Sequence, residues 1–148
     1  MVVRVQEADF DIGKELAGLR LGRADIGAIV TFTGLVRDMA DGEKIADLEL
    51  EHYPGMTEKA LQKIEAEAND RWQLQATLII HRYGKLAPGE QIVLVATASP
   101  HRGDAFQSAE FLMDFLKSRA PFWKKEGVAD GGRWVDARHS DEDALRRW

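Results

Sequence analysis

The chain contains no cysteine among its 148 residues. That absence excludes disulfides, thiolate metal sites and a cysteine nucleophile together, so any sulfur chemistry has to import its sulfur. Long apolar runs are missing as well. No stretch approaches the roughly 20 residues that span a bilayer, and the opening MVVRVQEADF lacks signal-peptide architecture, which predicts a cytoplasmic protein. There is no surplus of positive charge either. A net charge of -5 argues against nonspecific binding to nucleic acid or membrane surfaces, both of which favour basic chains. The four histidines, His52, His81, His101 and His139, lie far apart without metal-ligand spacing, so no metal is expected. No repeat, low-complexity tract or linker divides the chain, and its length predicts one domain over residues 1–148.

Hydrophobic periodicity supplies the elements. Val2 to Val5 reads as a short strand, and Ile12, Leu16 and Leu19 mark an amphipathic helix ending near Gly22. Residues 27–38, GAIVTFTGLVRD, predict a mostly buried strand, interrupted by a bulge or close approach at Gly34, with Arg37 at its mouth. A loop over Met39 to Glu43 leads to a strand through Leu48 and Leu50. A helix follows with Thr57 as its N-cap, and Glu58, Lys59, Lys63, Glu65 and Glu67 are expected on its solvated face. Residues 74–83 and 91–98 predict an antiparallel hairpin joined across GKLAPGE, with His81 as a structural histidine. Ala105, Phe106, Ala109, Leu112, Met113 and Leu116 define the longest helix, which Pro121 stops near Ala120. The tail predicts a glycine-rich loop at Gly127 to Gly132, a strand around Trp134 to Ala137, a short helix capped by Ser140, and docking of Trp148.

The chemistry gathers at element ends. Residues 117–126, KSRAPFWKKE, place four cations and one acid within a short span of an acidic protein, and such a cluster asks for an anion. If Phe122 to Glu126 runs extended, Lys124 and Glu126 share one face while Lys125 takes the other, so an acid sits beside one lysine. Lysines after a helix C-terminus also simply complement its dipole, and that reading stands beside the functional one. His101 and Arg102 lie where a strand hands over to a helix start, a place that favours anions. Arg37, His101, Arg102, Lys117, Lys124 and Lys125 together suit a phosphate and carbonyl oxygens, and a lysine with a depressed pKa also serves as nucleophile or acid. Arg102 and Lys117 are at opposite ends of one helix, about 20 Å apart. If both ends serve one site, a symmetric dimer is the simplest arrangement, with His101 and Arg102 of one copy completing the pocket of the other.

Five blocks carry a family resemblance: FTGLVR at 32–37, LEHYPGMTEKAL at 50–61, HRYGKLAPGE at 81–90, SPHRGDAF at 99–106 and LKSRAPFWKKE at 116–126. From Gly27 to Trp148 the chain resembles the MoaE family, the large, catalytic subunits of molybdopterin synthase; the first 25 residues match least. The resemblance implies an α+β fold of α/β-hammerhead type, with a mainly antiparallel sheet and packed helices. It further implies a homodimer within a heterotetramer, flanked by two ubiquitin-like small subunits. The implied reaction converts cyclic pyranopterin monophosphate to molybdopterin, taking two sulfurs from the thiocarboxylated C-terminal Gly-Gly of the small subunit. Lys117 and Lys124 are then the catalytic lysines, and Arg37, His101, Arg102, Lys125 and Glu126 line the substrate pocket, with no cofactor or metal. The alternatives are a Schiff-base lysine enzyme and a non-catalytic adaptor for a ubiquitin-like protein.

Overall fold

The computed structural model describes residues 1–40, 42–44, 47–128, 131–135 and 139–148, with residues 40, 43, 124–128, 131–135 and 139–140 described by their backbone alone. Strands β1 (Val2–Gln6), β2 (Ala28–Leu35), β6 (Ala76–Arg82) and β8 (Gln91–Ser99) form one sheet in the order β1-β6-β8-β2. A second sheet runs β10 (Gly131–Val135), β9 (Phe122–Val128), β5 (Asp47–His52), β7 (Gly84–Leu86). A two-stranded ribbon, β3 (Met39–Ala40) with β4 (Glu43–Lys44), stands where a loop was expected. Helices α1 (Ile12–Arg20), α2 (Met56–Arg71), α3 (Arg102–Ser118) and α4 (His139–Leu145) pack around them. The α+β expectation holds: apart from the parallel β1–β6 ladder, the described pairings are antiparallel.

The central strands β6 and β8 are apolar on both faces because both faces are covered. Leu78, Ile80, Leu94 and Ala96 point toward α1, where Phe10, Ile12, Leu16 and Leu19 pack on them. Ile79, Val93 and Val95, one residue out of phase, point the other way and meet Leu61, Ile64 and Ala68 of α2 and Leu112 of α3. A third cluster of Val36, Leu48, Leu50 and Leu86 ties the second sheet to the end of β2. The expected pairing of residues 74–83 with 91–98 is present as β6–β8, but the connection is not a plain turn. Gly84 takes φ 89, a left-handed conformation open to glycine, and the chain leaves the first sheet there to add β7 to the second.

Four local expectations are corrected. Strand β2 is an edge strand rather than a mostly buried one, and Thr31, Phe32 and Leu35 are exposed because β8 is its only described partner. Its irregularity does fall between Gly34 and Leu35. The N-cap of α2 is Gly55, whose N–H donates to the Glu58 carboxylate at 2.7 Å, while Thr57 is buried inside the first turn and its hydroxyl donates to the Tyr53 carbonyl. Helix α4 already begins at His139, so Ser140 lies inside it. Glu65, placed with the solvated charges, is only 5% exposed and accepts a 2.7 Å hydrogen bond from the Thr77 hydroxyl.

The terminal region forms earlier than expected, since β9 continues to Val128 and β10 starts at Gly131; residues 129–130 and 136–138 of the expected loop and strand lie outside the described residues. Trp148 does dock. Its indole N–H donates to Asp114 at 2.6 Å and its ring meets Trp72 and Phe111 edge-on.

Two tests follow from this packing. A β-carbon at Gly27 would lie 2.2 Å from the Pro100 carbonyl oxygen, so Gly27→Ala should lower unfolding free energy by about 2 kcal/mol in urea melts. Burial raises the Glu65 carboxyl pKa. Its neutral form is therefore the one the fold favours, and stability is lost as pH rises from the ordinary carboxylate range through the raised value. Glu65→Gln, which stays neutral and keeps an acceptor for Thr77, should raise the melting temperature at pH 7 and leave it unchanged near pH 4.

Candidate functional site

The turn from β8 into α3 is held tightly. The Gly27 N–H donates to the Ser99 carbonyl at 3.0 Å, and the His101 N–H donates to the Ser99 hydroxyl at 3.2 Å. His101 is the N-cap of α3 with extended backbone, and its side chain makes no capping bond. The imidazole of His101 and the guanidinium of Arg102 are both exposed at the helix start, where the first N–H groups carry partial positive charge.

Helix α3 runs back along β8. Its Ala105 carbonyl accepts from the Thr97 hydroxyl near the end of β8, while Leu116, Ala120 and Phe122 pack against the core cluster that holds Val93 and Val95. Lys117 is exposed in its last turn. The helix closes through Arg119 and Ala120, whose N–H groups both donate to the Phe115 carbonyl, and Pro121 then turns the chain into β9.

Strand β9 is extended as expected, and its register assigns the faces. Lys124 stands opposite Leu50 and Glu126 opposite Leu48, so both backbone positions belong to the face that carries the buried Leu48 and Leu50. Lys125 stands opposite Glu49 on the other face. The side chains of these three residues lie outside the described ones. Val36 packs with Leu48 and Leu50, which brings the exposed Arg37 next to the strand pair that carries Lys124.

The candidate residues thus divide. Arg37, Lys117 and the Lys124 position gather at one end of the β2–β8 ladder, and His101 and Arg102 stand at the other. That ladder runs from the Ala28–Ser99 pair to Leu35–Gln91, about 24 Å at 3.4 Å per residue. A single small ligand does not bridge it within one chain.

Beside the lysine end lies a group that sequence reasoning passed over. His52 stands opposite Phe122 in the β5–β9 ladder, with its ring 4.5 Å from Tyr83 and 6.0 Å from Phe122 by centroids; His81, buried as expected, stacks on Phe122 at 3.8 Å. Thr57 donates its one hydroxyl proton to the Tyr53 carbonyl at 2.9 Å, so toward His52 Nδ1, 3.0 Å away, it accepts. In this hydrogen bond His52 Nδ1 is therefore the donor. The only sequence signal was Thr57 four residues after Tyr53, the spacing at which a helical hydroxyl reaches back to a carbonyl.

Among the described residues no group of histidine and acidic side chains is placed to hold a metal, and no helix is long and apolar enough to cross a membrane. An apolar groove of about 480 Å³ between α2, α3 and Trp148, lined by Ile64, Phe111 and Phe115, contains none of the candidate residues.

The chain is similar to known proteins in both sequence and fold. The pattern of the MoaE protein family matches residues 5–119. The molybdopterin synthase catalytic subunit of Ralstonia nicotianae is 63% identical over 99% of this chain and 83% of its own length. The solved molybdopterin biosynthesis MoaE protein of Burkholderia ambifaria superposes with a TM-score of 0.85 at 56% identity, covering 99% of this chain and 97% of that one. The crystal structure of molybdopterin synthase from Staphylococcus aureus gives a TM-score of 0.82 at 36% identity, over 89% of this chain and 95% of that one. The chain belongs to the MoaE family, the family of molybdopterin synthase catalytic subunits.

Proposed function

We propose that this chain is a cytoplasmic sulfurtransferase that converts cyclic pyranopterin monophosphate to molybdopterin. The observation that carries the reading is the gathering of Arg37, Lys117 and the Lys124 position at one end of α3 in a chain without cysteine. Lacking a thiol of its own, the protein takes sulfur from a donor, and the donor is the thiocarboxylated C-terminal Gly-Gly of a ubiquitin-like small subunit. Each thiocarboxylate carries one sulfur, so one dithiolene consumes two donors.

The roles follow from charge and position. Lys117 meets the incoming thiocarboxylate, where its ammonium polarises the carbonyl and offsets negative charge as the sulfur is transferred. Lys124, with Glu126 on the same face, works on the pterin side as an acid or electrostatic stabiliser. Arg37, His101 and Arg102 hold the phosphate, with Lys125 lining the pocket; a guanidinium pairs with phosphate oxygens through two parallel hydrogen bonds. Because the two cationic ends are separated by the β2–β8 ladder, the working unit is a homodimer, flanked by two small subunits.

Mixing the purified chain with cyclic pyranopterin monophosphate and thiocarboxylated small subunit should yield the dithiolene product by mass spectrometry. Lys117→Ala should lower the turnover rate by about 100- to 1,000-fold with an unchanged circular dichroism spectrum; normal turnover in that variant refutes its role. Arg37→Ala should act mainly on substrate binding, raising KM about tenfold and changing kcat less.

A further inference from the structure

We infer that His52 is a positioning residue for the reaction: Thr57 holds its imidazole with Nδ1 as a donor, and the opposite nitrogen, Nε2, supplies the acceptor that steers the cation working at position 124. The inference rests on the reading above and deepens it, since that reading gives His52 no part.

The register brings the two positions together. Strand β5 carries Leu48, Leu50 and His52 on one face, opposite Glu126, Lys124 and Phe122 of β9. The Lys124 backbone position has Leu50 directly across from it, and His52 is its diagonal neighbour at about 7 to 8 Å, a gap that a lysine side chain can cover. Leu50 is 1% exposed, so the floor between them is apolar. An ammonium group over such a floor requires acceptors. Of the six residues that the two strands place on this face, only Glu126 and His52 are of a type that can accept.

The setting of the ring shows which of its atoms is available. Tyr83 at 4.5 Å and Phe122 at 6.0 Å border the imidazole, and Nδ1 lies 3.0 Å from the Thr57 hydroxyl oxygen. Thr57 is fully buried, but its own proton already goes to the Tyr53 carbonyl, so it does not need His52 to pair its donor. What the contact settles is the imidazole. With Nδ1 donating, the neutral ring carries its lone pair on Nε2. The bond to Thr57 is the ring's one hydrogen bond among the described residues, and His52 is half-buried rather than closed off. His81, across Phe122, is set differently: it is 6% exposed, and its Nδ1 donates to the Arg82 carbonyl at 2.8 Å. Packing alone asks for no nitrogen at position 52, because a phenylalanine fills the space beside Tyr83 and Phe122 equally well. A cation steered by a carboxylate and a neutral imidazole keeps one place relative to a substrate that the arginines hold, so losing the imidazole nitrogen acts on kcat more than on KM.

Paired variants and imidazole NMR test this. His52→Phe should lower kcat about 10- to 100-fold with KM for the pterin little changed, and His52→Gln, which keeps a donor and an acceptor, should restore most of the rate. A ring that only packs predicts the reverse order, so a wild-type kcat in His52→Phe, or a His52→Gln variant as slow as His52→Phe, overturns the inference. In two-bond proton–nitrogen spectra of the 15N-labelled chain at alkaline pH, the His52 signals, assigned by their loss in His52→Gln, should show Nδ1 protonated and Nε2 bare. Lys124→Met should move the Nε2 resonance. An Nε2-protonated ring, or an Nε2 resonance indifferent to Lys124→Met, also overturns it. If instead the wild type makes no product, the synthase reading fails, while the spectra still decide whether Nε2 serves position 124.

Discussion

Everything in this molecule is referred to strand β8. It is buried along nearly its whole length, paired with β6 on one side and β2 on the other, and pressed by α1 and α3 from its two faces. Of the two central strands, it is the one that carries β2 on its edge and leads directly into α3. The residues argued to bind and react sit beyond its two ends, on a turn that leads out of it and on segments that pack around its beginning. Side chains placed in this way inherit the rigidity of the core without being buried in it.

The buried polar groups serve the same end. Arg82 is 7% exposed, and its guanidinium donates to the Glu7 and Gln91 carbonyls, so one side chain fastens the exit of β1 to the start of β8. Thr97 ties β8 to the first turn of α3, and Thr57 joins the end of β5 to α2 while holding His52 Nδ1 as a donor. Each bond satisfies a group that would otherwise be costly to bury, and each spans two elements whose relative placement matters at the site.

The elements were most legible where periodicity and coverage coincide. The α3 pattern from Ala105 to Leu116 and the runs of β6 and β8 could be read directly because their burial is decided by their own composition. Edge position is not written in that way. The residues GAIVTFTGLV read as buried, and they are partly exposed, since an apolar strand has the same composition whether its own chain or another covers it. Glu65 was misplaced although it falls four residues after Leu61 on the stripe that also holds Ile64 and Ala68; charge was allowed to outweigh position on the helix. For the site, the types Arg, His and Lys at element ends were visible from sequence, and the family blocks named them. Their division into two groups was legible only as far as helix length reached, because the placement of Arg37 with Lys117 depends on the antiparallel run of α3 over β8 and on the Val36 cluster.

The ladder between Ala28 and Leu35 and the helix from Arg102 to Ser118 are matched in length, about 24 Å for seven strand steps and about 26 Å for seventeen helical residues. That match works as a ruler. Helix α3 shortened by one turn would withdraw Lys117 by about 5.4 Å from the end of β2, and a strand lengthened by two residues would carry Arg37 away by about 7 Å. Insertions are therefore tolerable in the connections around α1 and before β5, whereas the stretch from Gln91 at the start of β8 through Lys117 has to keep its length.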